Sequence, residues 1–396
     1  MAEHDAPHAF APARLGPLTL RNRIIKAATF EGVMPNGAVT DELIDFHRRV
    51  AAGGAAMSTV AYCAISPGGR VQRNTVVLNE RAVPDLRRLT EAVHNEGALA
   101  SAQLGHAGLV ANTRSNRTKT LAPSTRLSGP AMGLVRAATR AELDEVVDQF
   151  GAAARVAVDS GFDAIEIHLG HNYLLSSFMS ANLNRRSDEY GGSLENRLRL
   201  PRRAIAAVRD AVGPKVAVTA KFNMADGVPK GLWLDESIPF ATMLEQDGNL
   251  DALQLTGGSS LLNGMYFFRG DVPMKEFIQT QPAVVGLGLR VMGHRIFPEL
   301  PFEEGFFLPF ARQFRAALSM PLILLGGINE RDTIDGALAE GFEFVAMARA
   351  LLRQPDLPNL MRHDEQPAGL CVHCNKCMPT IFTGTRCVLV TPEVHS

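Results

Sequence analysis

The sequence is short of several things, and each shortage excludes something. No stretch of its 396 residues approaches ~20 uninterrupted apolar positions, so no membrane-spanning helix is expected. It has no charge excess. Its 40 Lys and Arg against 41 Asp and Glu leave −1, which gives no electrostatic footprint for nucleic acid or an anionic membrane. The first twelve residues carry Glu3, His4, Asp5 and His8 and lack a basic start followed by an apolar run, so no secretory signal is expected. No GxGxxG follows the first strand candidate, which disfavours a Rossmann half. No repeat of 20–50 residues stands out. Cysteines number five, and four of them crowd the end of the chain. These absences fit a cytoplasmic protein with reduced thiols and small-molecule partners. With 46% hydrophobic and 20% charged residues, global disorder is excluded.

What is present is an alternation. Short apolar runs at Ile24–Ala28, Met57–Tyr62, Ala98–Leu104, Ala164–His168, Val216–Phe222, Ala252–Thr256, Leu322–Leu325 and Phe344–Ala346 read as strands buried on both faces. Amphipathic stretches separate them at Asp41–Ala52, Pro84–Asn95, Thr139–Ser160, Leu194–Val212, Leu234–Gln246, Pro309–Leu318 and Arg331–Glu340. Thr139 with Glu142 reads as a capping box. Gly97, Gly161, Gly213 and Gly341 sit where helices should stop. Eight strands separated by helices predict parallel pairing and a closed (β/α)₈ barrel, an α/β TIM barrel, over residues 1–360. A short Cys-rich extension, 361–396, follows.

In such a barrel chemistry belongs at the C-terminal ends of the strands. Those ends carry Gln103 after strand three, His168, His171 and Tyr173 after strand four, and Lys221 after strand five. Gly326 and Gly327 follow strand seven, and Arg349 follows strand eight. A Gly-Gly loop beside an Arg suits a phosphate: the backbone N–H groups approach the anion and the guanidinium clamps it. Amide, imidazole, ammonium and phenol groups ringing one mouth suit a planar, polar-edged, phosphorylated cofactor. Each residue also has a plainer reading. The two histidines are satisfied core groups or zinc ligands, Tyr173 a packed aromatic, Lys221 a Schiff-base lysine, and Arg349 the partner of a surface carboxylate.

The segments Leu20–Ile24, Ser66–Arg70, Gln103–Gly108, Ile165–His168 and above all Asp188–Arg197 make the chain recognisable. From about Phe10 to Val390 it resembles the Old Yellow Enzyme family of FMN-dependent NAD(P)H:flavin oxidoreductases. The resemblance implies that Gln103 bonds the flavin pyrimidine edge and that Lys221 stands near flavin N1 and O2. Gly327 and Arg349, with Gly326, match the phosphate site. His168 and His171 match the pair that holds a substrate oxygen, and Tyr173 the proton donor. It implies NAD(P)H-dependent reduction of activated C=C bonds, with hydride passing from flavin N5. Many members carry Thr or Cys at the flavin C4–O4 edge. Here the corresponding position is Phe30, with Thr29 before it, and Tyr62 and Cys63 stand where a small residue often faces the flavin. Thr29 and Tyr62 are therefore expected at the cofactor, with Tyr62 either at the site or in the barrel wall. Asp188, Asn196 and Arg197 read as fold determinants. Tyr266, Phe267, Phe268 and Phe277 read as pocket lining or lid packing.

The pattern Cys371-x₂-Cys374-x₂-Cys377-x₉-Cys387 lets thiolates converge on one centre. It is similar to the [4Fe–4S] segment of the dienoyl-CoA reductase and trimethylamine dehydrogenase branch. The last gap is shorter here, and those enzymes continue into nucleotide-binding domains whereas this sequence ends at Ser396. A [4Fe–4S] cluster, zinc and uncoordinated thiols all stay open. So do other activities: oxidative deamination or demethylation in the same fold, a Schiff-base lyase using Lys221, or a binding protein without turnover. NADH is not distinguished from NADPH, the substrate is unnamed, and a homo-oligomer is one of several assemblies open.

Overall fold

The computed structural model describes residues 8–280 and 283–390. Eight parallel strands close on themselves: β1 (Ile24–Lys26), β2 (Met57–Ala64), β3 (Leu99–Gly105), β4 (Ala164–Leu169), β5 (Ala217–Asn223), β6 (Ala252–Thr256), β7 (Leu322–Leu325) and β8 (Phe344–Met347). The seam is closed by β8 on β1 and β1 on β2. Helices α1 (Asp41–Ala52), α2 (Val83–Asn95), α3 (Arg140–Asp159), α4 (Leu194–Val212), α5 (Leu234–Asp247), α6 (Leu308–Ala317), α7 (Arg331–Ala339) and α8 (Leu357–Arg362) return the chain between strands or follow the last one. The α/β barrel expected from the alternation is the observed fold, strand for strand. Thr139 caps α3 in the expected reciprocal box with Glu142.

Alternation along each strand sorts residues into two cores. Ile25, Ala27, Ala164, Ala217, Ala252, Ile323 and Phe344 fill the barrel interior. Ile24, Val60, Ile165, Val218, Leu253 and Leu322 face the helices. Small alanines on three neighbouring strands leave room inside. A hairpin, Ala13–Leu15 with Leu18–Leu20, plugs the bottom, with Leu15 and Leu20 packed on the inner core.

The rest of the chain decorates the mouth. A second hairpin, Arg126–Ser128 with Gly133–Val135, lies in the loop after β3. Helices Met265–Phe268, Met274–Thr280 and Ala283–Ile296 lie in the loop after β6. The cysteine segment folds back on the mouth: Asp271 N–H donates to His373 O, and Asn375 Nδ2 donates to Asp271 O at 3.0 Å.

Candidate active site

At the C-terminal ends of the strands lies a cavity of about 300 Å³. Its wall contains Thr29, Tyr62, Gln103, His168, His171, Tyr173, Lys221, Gly326, Gly327 and Arg349, all ten barrel positions expected from the sequence.

The floor is a polar relay. Parallel pairing sets Gln103 beside Glu166 and Lys221 beside His168. Glu166 Oε1 accepts from Gln103 Nε2 at 2.6 Å and from Lys221 Nζ at 3.3 Å. All three side chains are buried. One carboxylate therefore fixes both the amide and the ammonium. Glu166 sits inside a segment that carried the resemblance, yet the sequence assigned it no role.

The upper wall is aromatic. Gly170 N–H donates to His168 Nδ1 at 3.1 Å. That leaves the proton of a neutral ring on Nε2, so His168 is a donor. Burial holds its pKa well below the usual imidazole value, with the charges of His171 and Lys221 adding to the effect. His171 Nε2 meets Thr256 Oγ1 at 3.0 Å, and burial pushes this ring down to about 3. Tyr173 stacks on His168 with centroids 4.2 Å apart. Burial raises its phenol, so it stays protonated. Tyr62 Oη donates to Gly69 O at 3.1 Å, which places this phenol at the site but ties up its proton. A Cβ on Gly105 would lie 2.6 Å from the Tyr62 ring, so glycine makes the room.

Strain and a buried anchor shape the histidine loop. His171 and Asn172 both have positive φ, at 58° and 59°. Asp226 holds them: its Oδ1 accepts from Asn172 Nδ2 at 3.0 Å and from Asn223 Nδ2 at 2.9 Å. Its Oδ2 accepts from Ser180 Oγ at 2.6 Å and Leu232 N–H at 2.9 Å. Asn223 Oδ1 in turn accepts from His171 N–H at 3.3 Å. Neither Asp226 nor Thr256 carried a motif to flag it.

The far end is built for an anion. Gly326 and Gly327 have φ of 115° and 75°, and a Cβ on either would strike the rings of Phe307 or Phe306. Bare backbone is thus presented to the cavity. Arg349 is engaged on one side by Arg269 O at 3.1 Å and by Asn375 Oδ1. His373, Cys377, Met378, Ile381 and Thr385 of the cysteine segment also line the cavity, a wall the sequence did not announce. Behind it Cys371, Cys374, Cys377 and Cys387 all line a second, smaller cavity together with Arg349 and Arg353. Cys377 borders both. Among the described residues no three His, Cys, Asp or Glu groups converge on one metal-ion position.

The four aromatics divide between the two alternatives, pocket lining and packing. Phe267 and Phe268 line the cavity, with Phe267 stacked on His171 at 4.5 Å. Tyr266 and Phe277 do not: Tyr266 packs on Trp233 and Phe307, and Phe277 stacks on Phe297 in a satellite cluster. Bulky rings can pack among themselves as readily as line a pocket. Asp188 and Arg197 are structural, as expected. Asp188 pairs with Arg186, and Arg197 bridges Met179 O and Glu236.

Residues 8–255 match the NADH:flavin oxidoreductase / NADH oxidase family. The chain belongs to that family. It is 73% identical over 389 residues to the 4,4'-dithiodibutanoate disulfide reductase of Rhodococcus erythropolis, covering 98% of this chain and 96% of that one. It is 33% identical over 380 residues to a metal reductase of Desulforamulus reducens, covering 94% of this chain and 52% of the relative. The fold of a 2-naphthoyl-CoA reductase superposes with a TM-score of 0.81 at 23% identity, over 95% of this chain and 55% of that one. An old yellow enzyme homologue of Zymomonas mobilis superposes at 0.70 and 23% identity, over 93% and 96%. The chain thus spans about half of some relatives and nearly all of others. As a member of the NADH:flavin oxidoreductase family it is an NAD(P)H-using flavin enzyme of the barrel class. No helix among the described residues is long and apolar enough to cross a membrane.

Proposed function

We propose that this enzyme uses FMN to carry electrons from NAD(P)H to an organic disulfide with carboxylate-bearing arms. One observation carries the substrate class: the 73% identity, across nearly the whole of both chains, to the dithiodibutanoate reductase. The balanced reaction is R–S–S–R + NAD(P)H + H⁺ → 2 R–SH + NAD(P)⁺.

The cavity fits FMN by its donor set. Gly326, Gly327 and Arg349 would hold the phosphate, and Gln103 and Lys221 the polar edge of the ring, with Thr29 and Tyr62 in the wall. When bound, FMN supplies the two-electron chemistry. The protein does the rest. Glu166 keeps Lys221 aimed, so that negative charge developing beside it is stabilised. His168 offers a neutral Nε2–H and Tyr173 a neutral O–H to the substrate. A thiolate leaving a disulfide is a weak base, with a conjugate pKa of about 8.5. The buried phenol is a weaker acid than that, so it need only hydrogen-bond the thiolate, and solvent supplies the proton.

A second reading, reduction of an activated alkene, is favoured by the same Tyr173. Carbon needs a real proton donor, and this hydroxyl has no hydrogen-bond partner among the described residues. Steady-state NADH and NADPH oxidation with 4,4'-dithiodibutanoate and with cyclohexenone separates the two. The disulfide is the better acceptor on our reading, and Tyr173→Phe slows the enone far more than the disulfide. Turnover of the enone alone overturns it.

The cysteine-lined cavity we assign to a [4Fe–4S] cluster. Each iron of such a cluster takes one thiolate, which suits four cysteines spread around one cavity. Zinc needs its sulfurs gathered at one point. Burial holds free Cys377 up at about 11 and also raises Cys371. Anaerobically purified protein with no iron and no acid-labile sulfide would remove this assignment.

A further inference from the structure

A second buried polar group lies on the other side of the barrel wall, between β1, β2 and α1. Alternation turns Lys26 outward from β1, while Ile25 and Ala27 turn in. Lys26 and Glu31 are fully buried and paired at 3.0 Å. His47, Ser58 and Cys63 are buried around them, with His47 Nδ1 on Ser58 Oγ at 2.8 Å. Lys26 also stands 4.9 Å over the Phe46 ring. Burying both ions costs several kcal/mol each before their attraction offsets it, and apolar residues of similar volume would often serve folding as well. The pair therefore calls for a reason.

Thr29 supplies one. Its hydroxyl lies 2.6 Å from Lys26 Nζ and 2.7 Å from Glu31 Oε1, and Thr29 is a lining residue of the cofactor cavity. An ammonium only donates and a carboxylate only accepts. The chain of hydrogen bonds thus runs one way, from Lys26 to Thr29 to Glu31. The hydroxyl proton is directed at Glu31, and one lone pair is taken by Lys26. Only a lone pair remains for the cavity.

The segment is held from above as well. Glu31 O accepts from Thr385 N–H at 2.6 Å, and Phe30 O accepts from the Thr385 hydroxyl. A Cβ on Gly32 would meet Ile381 O at 2.5 Å, so the loop packs directly under the cysteine segment. Thr29 has little freedom to turn unless its partners change.

We propose that Lys26 and Glu31 are positioning residues for the cofactor: they lock Thr29 with its proton turned away, so this hydroxyl can offer the ring an acceptor and not a donor. This role rests on the flavin assignment above. It explains why a threonine at the cavity needs a buried ion pair behind it.

The test replaces both ions together, Lys26→Met with Glu31→Leu, since swapping a buried pair for apolar residues preserves folding more often than breaking it. The readouts are the midpoint potential and visible spectrum of bound FMN. Freed from Glu31, the Thr29 proton turns to the cavity. A donor there stabilises the electron-rich form. The potential shifts to more positive values and the absorption maximum moves. In a Thr29→Val background the same pair of changes moves neither. No shift with Thr29 present, or the same shift without it, overturns the proposal. Should the double replacement not fold, Glu31→Asp keeps the charge but withdraws the carboxylate by one methylene. A positive shift that needs Thr29 then supports the positioning role, and no shift, or one that survives Thr29→Val, overturns it. A protein that takes up no FMN at all overturns the flavin assignment instead.

Discussion

Two buried lysine–glutamate pairs stand on opposite faces of the same barrel wall. Lys221 with Glu166 points into the cavity, and Lys26 with Glu31 points out toward α1. Both lysines lie in barrel strands, and both pairs are almost free of solvent. Their surroundings differ. Glu166 has a second donor in Gln103, so the inner pair belongs to a wall that touches ligand directly. Among the described residues the outer pair is hydrogen-bonded to the cavity wall through one hydroxyl, Thr29. The difference teaches that the face of a strand, more than its end, decides whether a charge acts on a ligand or on the group that touches it.

The largest effect should come from breaking the inner pair. Lys221→Met removes the only ammonium that the described residues present to the cavity. Loss of one such preorganised group costs roughly 10²- to 10³-fold in rate. Stopped-flow reduction of the bound flavin by NADH or NADPH should slow by that order, with the protein still folded. A change of less than about twofold would make the inner pair structural and erase the contrast with the outer one.

A middle-sized effect concerns imidazoles on both faces. Burial lowers the pKa of His47 outside the barrel and of His168 at the mouth, and it pushes His106 down to about 4 and His171 to about 3. The unfolded chain takes up these protons near pH 6.5, and the folded one only well below that. Stability is therefore fully present above about pH 6.5 and is lost as the pH falls toward the folded values. Each unit of separation contributes about 1.4 kcal/mol. Urea midpoints at pH 7.5, 6 and 5 should fall in that order. His47→Gln should flatten the slope, showing that the outer face shares in it. A pH-independent midpoint over this range would refute the assignment of neutral buried rings.

The contrast also marks what a sequence reader can see. Buried strands announce themselves by apolar runs, and all eight were legible. Polar residues at strand ends announce a site, and Gln103, His168 and Lys221 were legible for that reason. Glu166 was not, because it sits two residues before His168, among apolar neighbours, and reads as one letter of a motif. Lys26 and Glu31 were not, because a single lysine in a three-residue strand carries no periodicity to say which way it faces. The two hairpins were missed because three-residue strands give no pattern. The helices after β6 were missed because two are only 4 and 7 residues long and the third, Ala283–Ile296, is interrupted by Gly286, Gly288 and Gly293. The cysteine spacing suggested one shared centre and left uncoordinated thiols open, and only the fold shows Cys377 standing between two cavities.

The smallest predicted effect sharpens the comparison within the mouth itself. Tyr62 and Tyr173 are two phenols with ring centroids 5.4 Å apart. Tyr62 spends its proton on Gly69 O, while the Tyr173 proton is unclaimed among the described residues. Tyr62→Phe should cost about 1 kcal/mol of stability for the lost hydrogen bond. Its effect on enone turnover should stay within a few-fold, because the group it removes was never aimed at substrate. Should Tyr62→Phe instead slow the enone as much as Tyr173→Phe does, the proton would come from a shared pair of phenols. The wall would then act on its ligand through both of them, and the division between residues that touch and residues that position would shift by one side chain.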